Sequence, residues 1–357
     1  MNELEQLHAE LAKRPRKRRL APLLIGTALL LLVLDQVFLR VALSDGVLAG
    51  SLVAPFDATL TTNAGNLDDT GLELDERFGW RATSKPVVNA PFGSQHVVIV
   101  GGSRAFDTGE ATWAAQVGST TEQLHVTNLA VPHYGIDQAW MVARADGLAL
   151  EPDEVWLCLE PDTALFATTS YLPLVARETS VRLAKPRFRA IGSDDIELVP
   201  FAGTGPEHLG EILRSDPWAH GECLFGLLSI PGLGESFAMS RVWITWRIDQ
   251  RLQRARSLAE SSSRKLLAAI VATASRESTN IGARFRVIVL PGPEDFERAV
   301  YWTGLIDDLR SFGIEVIDVT AALAANADES LWTEDGSYTN RAHAIVSRTV
   351  AGVMQDD

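Results

Sequence analysis

The sequence predicts an α/β protein: a three-layer, doubly wound domain around a five-stranded parallel sheet, behind an N-terminal transmembrane helix and interrupted by one insertion. Three observations predict it. Short runs of Val, Ile and Leu without polar alternation recur along the chain, the mark of strands buried on both faces. Helical stretches separate these runs, so successive strands run parallel with right-handed crossovers. A basic cluster also meets a charge-free apolar run near the start of the chain.

That first feature of the chain sets its topology. Residues 1–40 carry Lys13, Arg14, Arg16, Lys17, Arg18, Arg19 and Arg40 against Glu3, Glu5, Glu10 and Asp35, on a 357-residue chain of net charge −14. Leu20 to Leu34 holds no charge, and Val37-Phe38-Leu39 extends the run beyond Asp35. A helix needs about 20 residues to cross the hydrocarbon core, which this stretch supplies with Asp35 at the far headgroups. Positive clusters stay inside. The expected organisation is a cytoplasmic basic head over 1–19, a membrane-spanning helix over 20–40 and a body outside the cytoplasm, a single-pass protein of a bacterial inner membrane. The alternatives are a cleaved signal peptide, with Val47-Leu48-Ala49-Gly50-Ser51 as the cleavage region, and a buried core helix.

Residues 41–95 are rich in Thr, Asn, Asp, Gly and Pro and read as a stalk and lead-in segment. The α/β domain occupies 96–357. Its strands are His96–Val100, His125–Leu129, Glu154–Leu159, Arg284–Leu290 and Ile314–Val319. Helices are expected over Ala111–Val117, Ile136–Leu150, Phe296–Phe312 and Thr339–Met354. The interval 163–283 breaks the alternation and is an insertion or cap, with Trp218, Trp243, Trp246 and a long polar helix around Ile248–Arg276.

Several chemistries are excluded at this level. A net charge of −14 speaks against nucleic acid, whose phosphates need a positive surface. Cys158 and Cys223 make no disulfide framework, and Cys158 sits in an apolar run as a small buried thiol. The seven histidines show no metal-ligand spacing, so neither metal nor cofactor is expected.

In an open parallel sheet, ligands meet the carboxyl ends of strands. After the first strand comes Gly101-Gly102-Ser103-Arg104-Ala105-Phe106, a glycine-flanked turn that exposes a serine hydroxyl beside main-chain amides. A plain tight turn is the other reading. Ala105 departs from the GxSxG nucleophile elbow. After the second strand comes Asn128-Leu129-Ala130-Val131-Pro132-His133-Tyr134-Gly135-Ile136-Asp137-Gln138. Asp335-Gly336-Ser337-Tyr338-Thr339-Asn340-Arg341-Ala342-His343 opens the last helix.

These three blocks, in this order, resemble the SGNH (GDSL) hydrolase superfamily, in the membrane-anchored form found near cell-surface polysaccharide genes. The resemblance spans about 96–162 and 284–354. It is most specific in the second block, where Asn128, Leu129, Val131, Pro132, Tyr134, Gly135, Asp137 and Gln138 match. It implies the SGNH fold, flavodoxin-like in its layers, and ester hydrolysis or acyl transfer by a serine with a histidine base and an orienting aspartate. It implies Ser103 as nucleophile and Asp335 as orienting carboxylate, with Gly102, Asn128, Ala130 and Pro161 around the oxyanion cleft. His343 corresponds to a structural histidine of the last block.

The departures fall on the chemistry. Gly102 stands for the Asp of Gly-Asp-Ser, Ala130 and His133 for glycines, and Glu160-Pro161-Asp162 where an Asn is due. Ser337 occupies the position of the catalytic histidine. Without a base a serine hydroxyl stays protonated and weakly nucleophilic, and loss of a triad member costs several powers of ten in rate. His133, in the loop that by resemblance flanks Ser103, is the one candidate for a relocated base. Two function classes follow. One is a catalytically impaired relative that acts on or binds cell-envelope glycans; the other is an active esterase or O-acyltransferase on acylated polysaccharide using Ser103. The membrane is the one partner the topology implies. For that topology, protease added outside intact cells should digest the body and spare residues 1–19; protection of the body would reverse the orientation.

Overall fold

The computed structural model describes residues 71–83, 93–106, 112–121, 124–176, 183–192, 195–199, 201–203, 261–293, 300–327, 331–333 and 336–355, with isolated positions elsewhere. The chain divides into two units, Met1–Ala58 with Leu227–Trp246, and Thr59–Gly226 with Arg247–Asp357. Of the first unit only Gly26, Thr27 and Leu30 are described, all helical. The expected membrane span over 20–40 therefore lies outside the described residues apart from these three. Among the described residues no helix is long and apolar enough to cross a membrane.

The second unit is built on a five-stranded sheet. Its strands are β3 (Gln95–Val100), β4 (Leu124–Asn128), β5 (Glu154–Leu159), β8 (Arg284–Val289) and β9 (Glu315–Asp318), in the spatial order β4-β3-β5-β8-β9. Every pairing is parallel. The expected runs are these strands to within a residue or two at each end. Helices cover both faces: α1 (Trp113–Thr120) packs with α7 (Asn340–Gln355) on one, and α4 (Ser261–Asn280) packs with α2 (Ile136–Val142) and α5 (Val300–Ser311) on the other. Strand side chains alternate between the faces. Val97, Ile99, Trp156, Cys158, Ile288 and Ile317 join Trp113, Val117 and Val346 in one core, while Phe285 meets the edge of Trp140 on the opposite side.

Register is held by a buried polar ladder at the amino ends of the strands. Gln95 Nε2 donates to Glu154 Oε1 at 2.8 Å and Trp156 Nε1 to Glu154 Oε2 at 2.7 Å. Arg286, fully buried, pairs with Glu154 at 3.1 Å and with Glu315 at 2.8 Å. A one-residue slip would turn these charges into the apolar layer of the other face.

Two hairpins lie outside the expected pattern. β1 (Leu72–Asp75) and β2 (Gly79–Ala82) form an antiparallel pair within the segment read as stalk and lead-in, and Trp80 is fully buried. Its indole N–H donates to Pro132 O at 3.0 Å, Gln138 Nε2 donates to Phe78 O at 2.7 Å, and the Tyr134 hydroxyl donates to Trp80 O. β6 (Phe188–Ile191) and β7 (Asp195–Leu198) pair antiparallel within the insertion. The long helix expected around Ile248–Arg276 is described over Ser261–Asn280, where it crosses over to β8. The expected helix over Ile136–Leu150 is α2, then a π turn at Ala143–Gly147 and a 3-10 turn at Leu148–Leu150. At Gly147 a Cβ would stand 3.1 Å from Val98 Cγ1, a tight approach that glycine relieves where the helix meets β3.

One charge pair ties the insertion to α2. Lys185 Nζ donates to Asp137 Oδ2 at 2.5 Å, both side chains fully buried. Burial pushes the Asp137 carboxyl up and the Lys185 amine down from their ordinary values, each against the pull of its partner. Removing one partner leaves an uncompensated buried charge, whereas removing both does not. Lys185→Met should cost about 3–5 kcal/mol in chemical denaturation. Adding Asp137→Leu should restore at least half of that; additive losses would show that the pair does not act as a unit.

Candidate functional site

The site forms where the chain leaves β3 and the sheet order reverses, because β4 and β5 flank β3 and the connections depart over opposite faces. β3 ends in two glycines with no space for side chains. A Cβ at Gly101 would lie 2.7 Å from Cys158 Cβ, and one at Gly102 would lie 2.7 Å from Thr163 Cγ2 and 3.2 Å from Glu160 Oε1. The turn closes with Phe106 N–H donating to Gly102 O at 2.9 Å, which leaves Ser103 exposed at its crest.

The second block runs alongside this turn. Leu129 N–H donates to Ile99 O at 2.8 Å and Val131 N–H to Gly101 O at 3.1 Å, so the loop continues the sheet pairing past the end of β4. His133 then takes a left-handed conformation, φ 63°, which is costly for a residue with a Cβ. That twist aims its main-chain N–H at Ser103, whose Oγ accepts it at 3.0 Å. The chain next caps α2 at Gly135, where a Cβ would meet Ala167 N at 2.7 Å.

These contacts correct the expected site. Ser103 and His133 do come together, but through the His133 amide. Asn128 and Ala130, expected at the oxyanion position, are bonded elsewhere: Asn128 Nδ2 donates to Ala105 O at 2.8 Å, and Ala130 N–H donates to Asn128 Oδ1 at 3.0 Å. They lash the second block to the serine turn, and the amide that faces Ser103 Oγ is that of His133. Pro161 is the first residue of α3 (Pro161–Phe166) and has no N–H to offer. Gly102 does border the serine, as a spacer that admits Thr163 and Glu160.

The residue the sequence reading passed over is Glu160. Its side chain is 2% exposed, and Oε1 accepts the N–H of Arg104 at 2.9 Å and of Ala105 at 3.1 Å. Oε2 lies 3.7 Å from the Arg104 guanidinium. Arg104 in turn lies against Gly292 of the turn after β8, where a Cβ would come within 2.6 Å of Nη2.

The last block closes the same edge. Tyr338 donates its hydroxyl hydrogen to Pro291 O at 2.9 Å, and Thr333 N–H donates to Ser337 O at 3.0 Å. Ser337 is exposed at the lip. Asp335 lies outside the described residues. His343 is structural as implied, since Nδ1 accepts the N–H of Trp113 at 3.2 Å at the first turn of α1. Cys158, beneath Gly101, is no rival nucleophile: burial, and then the charge of Glu160, push its thiol well above the ordinary value. Among the described residues no group of three or more His, Cys, Asp or Glu side chains could hold a metal ion.

No family model matches the chain, and no curated protein matches it. Its fold is similar to that of a member of the lipolytic protein G-D-S-L family from Veillonella parvula, at 10% identity over 73% of this chain and 99% of that one, TM-score 0.37. It is similar also to a psychrotrophic esterase from Pseudoalteromonas sp., at 10% identity over 74% and 98%, TM-score 0.37. An acetyl-xylooligosaccharide esterase from Geobacillus aligns at 11% identity over 72% and 93%, TM-score 0.34.

The two hydrogen bonds of the Asn128 amide predict its role. Asn128→Ala leaves Ala130 N–H and Ala105 O without their partner and should cost about 1–3 kcal/mol in chemical denaturation. A loss under 0.5 kcal/mol, roughly the scatter of a neutral surface change, would mean the lashing is idle.

Proposed function

We propose that this chain is an SGNH-type hydrolase relative that binds acylated cell-envelope glycans in the cleft at Ser103 and is catalytically impaired. A serine hydroxyl stands exposed at the carboxyl edge of the sheet, held by the His133 N–H at 3.0 Å, where an acyl ester would meet it. The observation that carries the impairment is Ser337: a hydroxyl, exposed at the lip, holds the position at which the resemblance places the imidazole. With no base to take its proton, Ser103 attacks slowly. The amides of Arg104 and Ala105 are spent on Glu160 and that of Ala130 on Asn128, which leaves the oxyanion site short of donors. The glycan rests on the resemblance to proteins of polysaccharide loci, and the inner-membrane location on the basic cluster and apolar run at residues 13–39.

The alternative is an active serine esterase or O-acyltransferase with His133 as base. What favours it is the His133 main chain, held in a conformation that glycine prefers so as to touch Ser103. One experiment separates the two: labelling by a serine-directed fluorophosphonate, with hydrolysis of small acetyl esters read alongside. The wild type should label slowly and only at Ser103, with Ser103→Ala blank. Ser337→His should raise both rates at least tenfold, a fraction of the ~10²–10⁴ that a placed general base supplies. Fast wild-type hydrolysis lost in Ser103→Ala and His133→Ala would establish the alternative. Fast hydrolysis that survives Ser103→Ala would sink both.

A further inference from the structure

We infer that Glu160 is the positioning residue of the serine turn, supplying from the end of β5 a carboxylate that residue 102 has no space to carry. The inference rests on the reading of Ser103 as the reacting group. Four observations support it. A single oxygen, Oε1, accepts two consecutive main-chain amides, those of Arg104 and Ala105, immediately after Ser103. Those N–H groups lie in a turn too short to satisfy them by helical pairing, so an uncapped turn would leave them orphaned at the floor of the cleft.

The main chain at Glu160 is itself pinned. Glu160 N–H donates to Thr163 Oγ1 at 3.0 Å, and the same hydroxyl donates back to Glu160 O at 2.8 Å. The Arg104 guanidinium sits 3.7 Å from Oε2 and balances the buried charge. Lastly, residue 102 has no space for a carboxylate of its own. A Cβ there would stand 2.7 Å from the Thr163 methyl, 3.2 Å from Tyr134 O and 3.2 Å from Glu160 Oε1. Through these two amides Glu160 acts on the backbone of the turn.

The test reads the turn in two independent ways. Amide hydrogen exchange over 101–106 reports the cap whether or not Ser103 reacts. Fluorophosphonate labelling in the Ser337→His background reports how well the hydroxyl is presented. Glu160→Ala should speed exchange at 104 and 105 at least tenfold and slow labelling at least tenfold, while Glu160→Gln, which keeps a carbonyl oxygen, should lose less than half as much of each on a logarithmic scale. Gly102→Asp alone should lower Tm. Combined with Glu160→Ala it should stay as low, because the Thr163 methyl and Tyr134 O still fill that space. Unchanged exchange and labelling in Glu160→Ala would overturn the inference, as would a Glu160→Gln variant as impaired as Glu160→Ala. If Ser337→His fails to label while Glu160→Ala still unprotects 104 and 105, the cap on the turn stands, and the reading of Ser103 as the reacting group falls together with the positioning role that rests on it.

Discussion

Everything at the functional edge follows from β3 being hydrogen-bonded on both sides. Parallel pairing with β4 and with β5 consumes its main-chain groups, and burial on both faces leaves its side chains apolar from Val97 to Val100. The chain leaves β3 over one face to reach β4 and returns over the other to reach β5, which opens a crevice at the carboxyl end of β3. Beyond Val100 the ladder stops, yet the chain is still packed under neighbouring loops, and each N–H there must find an acceptor that is not a strand. Asn128 and Glu160 supply those acceptors from the ends of the two flanking strands. The serine is thus presented by its neighbours' side chains as much as by its own turn.

The two ends of the sheet treat charge in opposite ways. At the amino ends Gln95, Glu154, Arg286 and Glu315 are joined in a ladder, a structural use of ions that fixes register at some cost in desolvation. At the carboxyl ends the polar groups surround an exposed hydroxyl and a histidine in a strained conformation. Strain and open polar groups at one end, closure at the other, mark which end meets ligands.

The sheet was legible because burial on both faces writes itself as uninterrupted apolar runs; Glu154–Leu159 coincides residue for residue with its strand. The hairpins were not. Leu72–Asp75 and Phe188–Ile191 have four residues each, too few for any period to rise above the surrounding Thr, Asp and Gly. Trp80 was the available clue, a large apolar residue in a polar stretch. In the site, Ser103 could be found from its glycines, but the chemistry around it is carried by main-chain atoms, and residue types say little about those. His133 invited attention for its imidazole and contributes its amide. Glu160 was met as the loss of an asparagine, since only the parallel register of β3 and β5 brings it beneath Ser103, and no local spacing encodes that contact.

The pairing of β5 with β8 has a separate consequence, for the history of the chain. Leu159 and Arg284 close onto adjacent strands across the whole intervening insertion, a union of sequence-distant segments at the centre of the sheet. The entropy of closing such a loop grows only with the logarithm of its length, about 0.6 kcal/mol for each doubling. Natural selection could therefore lengthen, trim or replace the insertion at slight thermodynamic expense while the carboxyl edge of the sheet stayed in register. The burden falls on kinetics instead: with so much non-local pairing to be found, the nascent chain must search longer before its central strands meet.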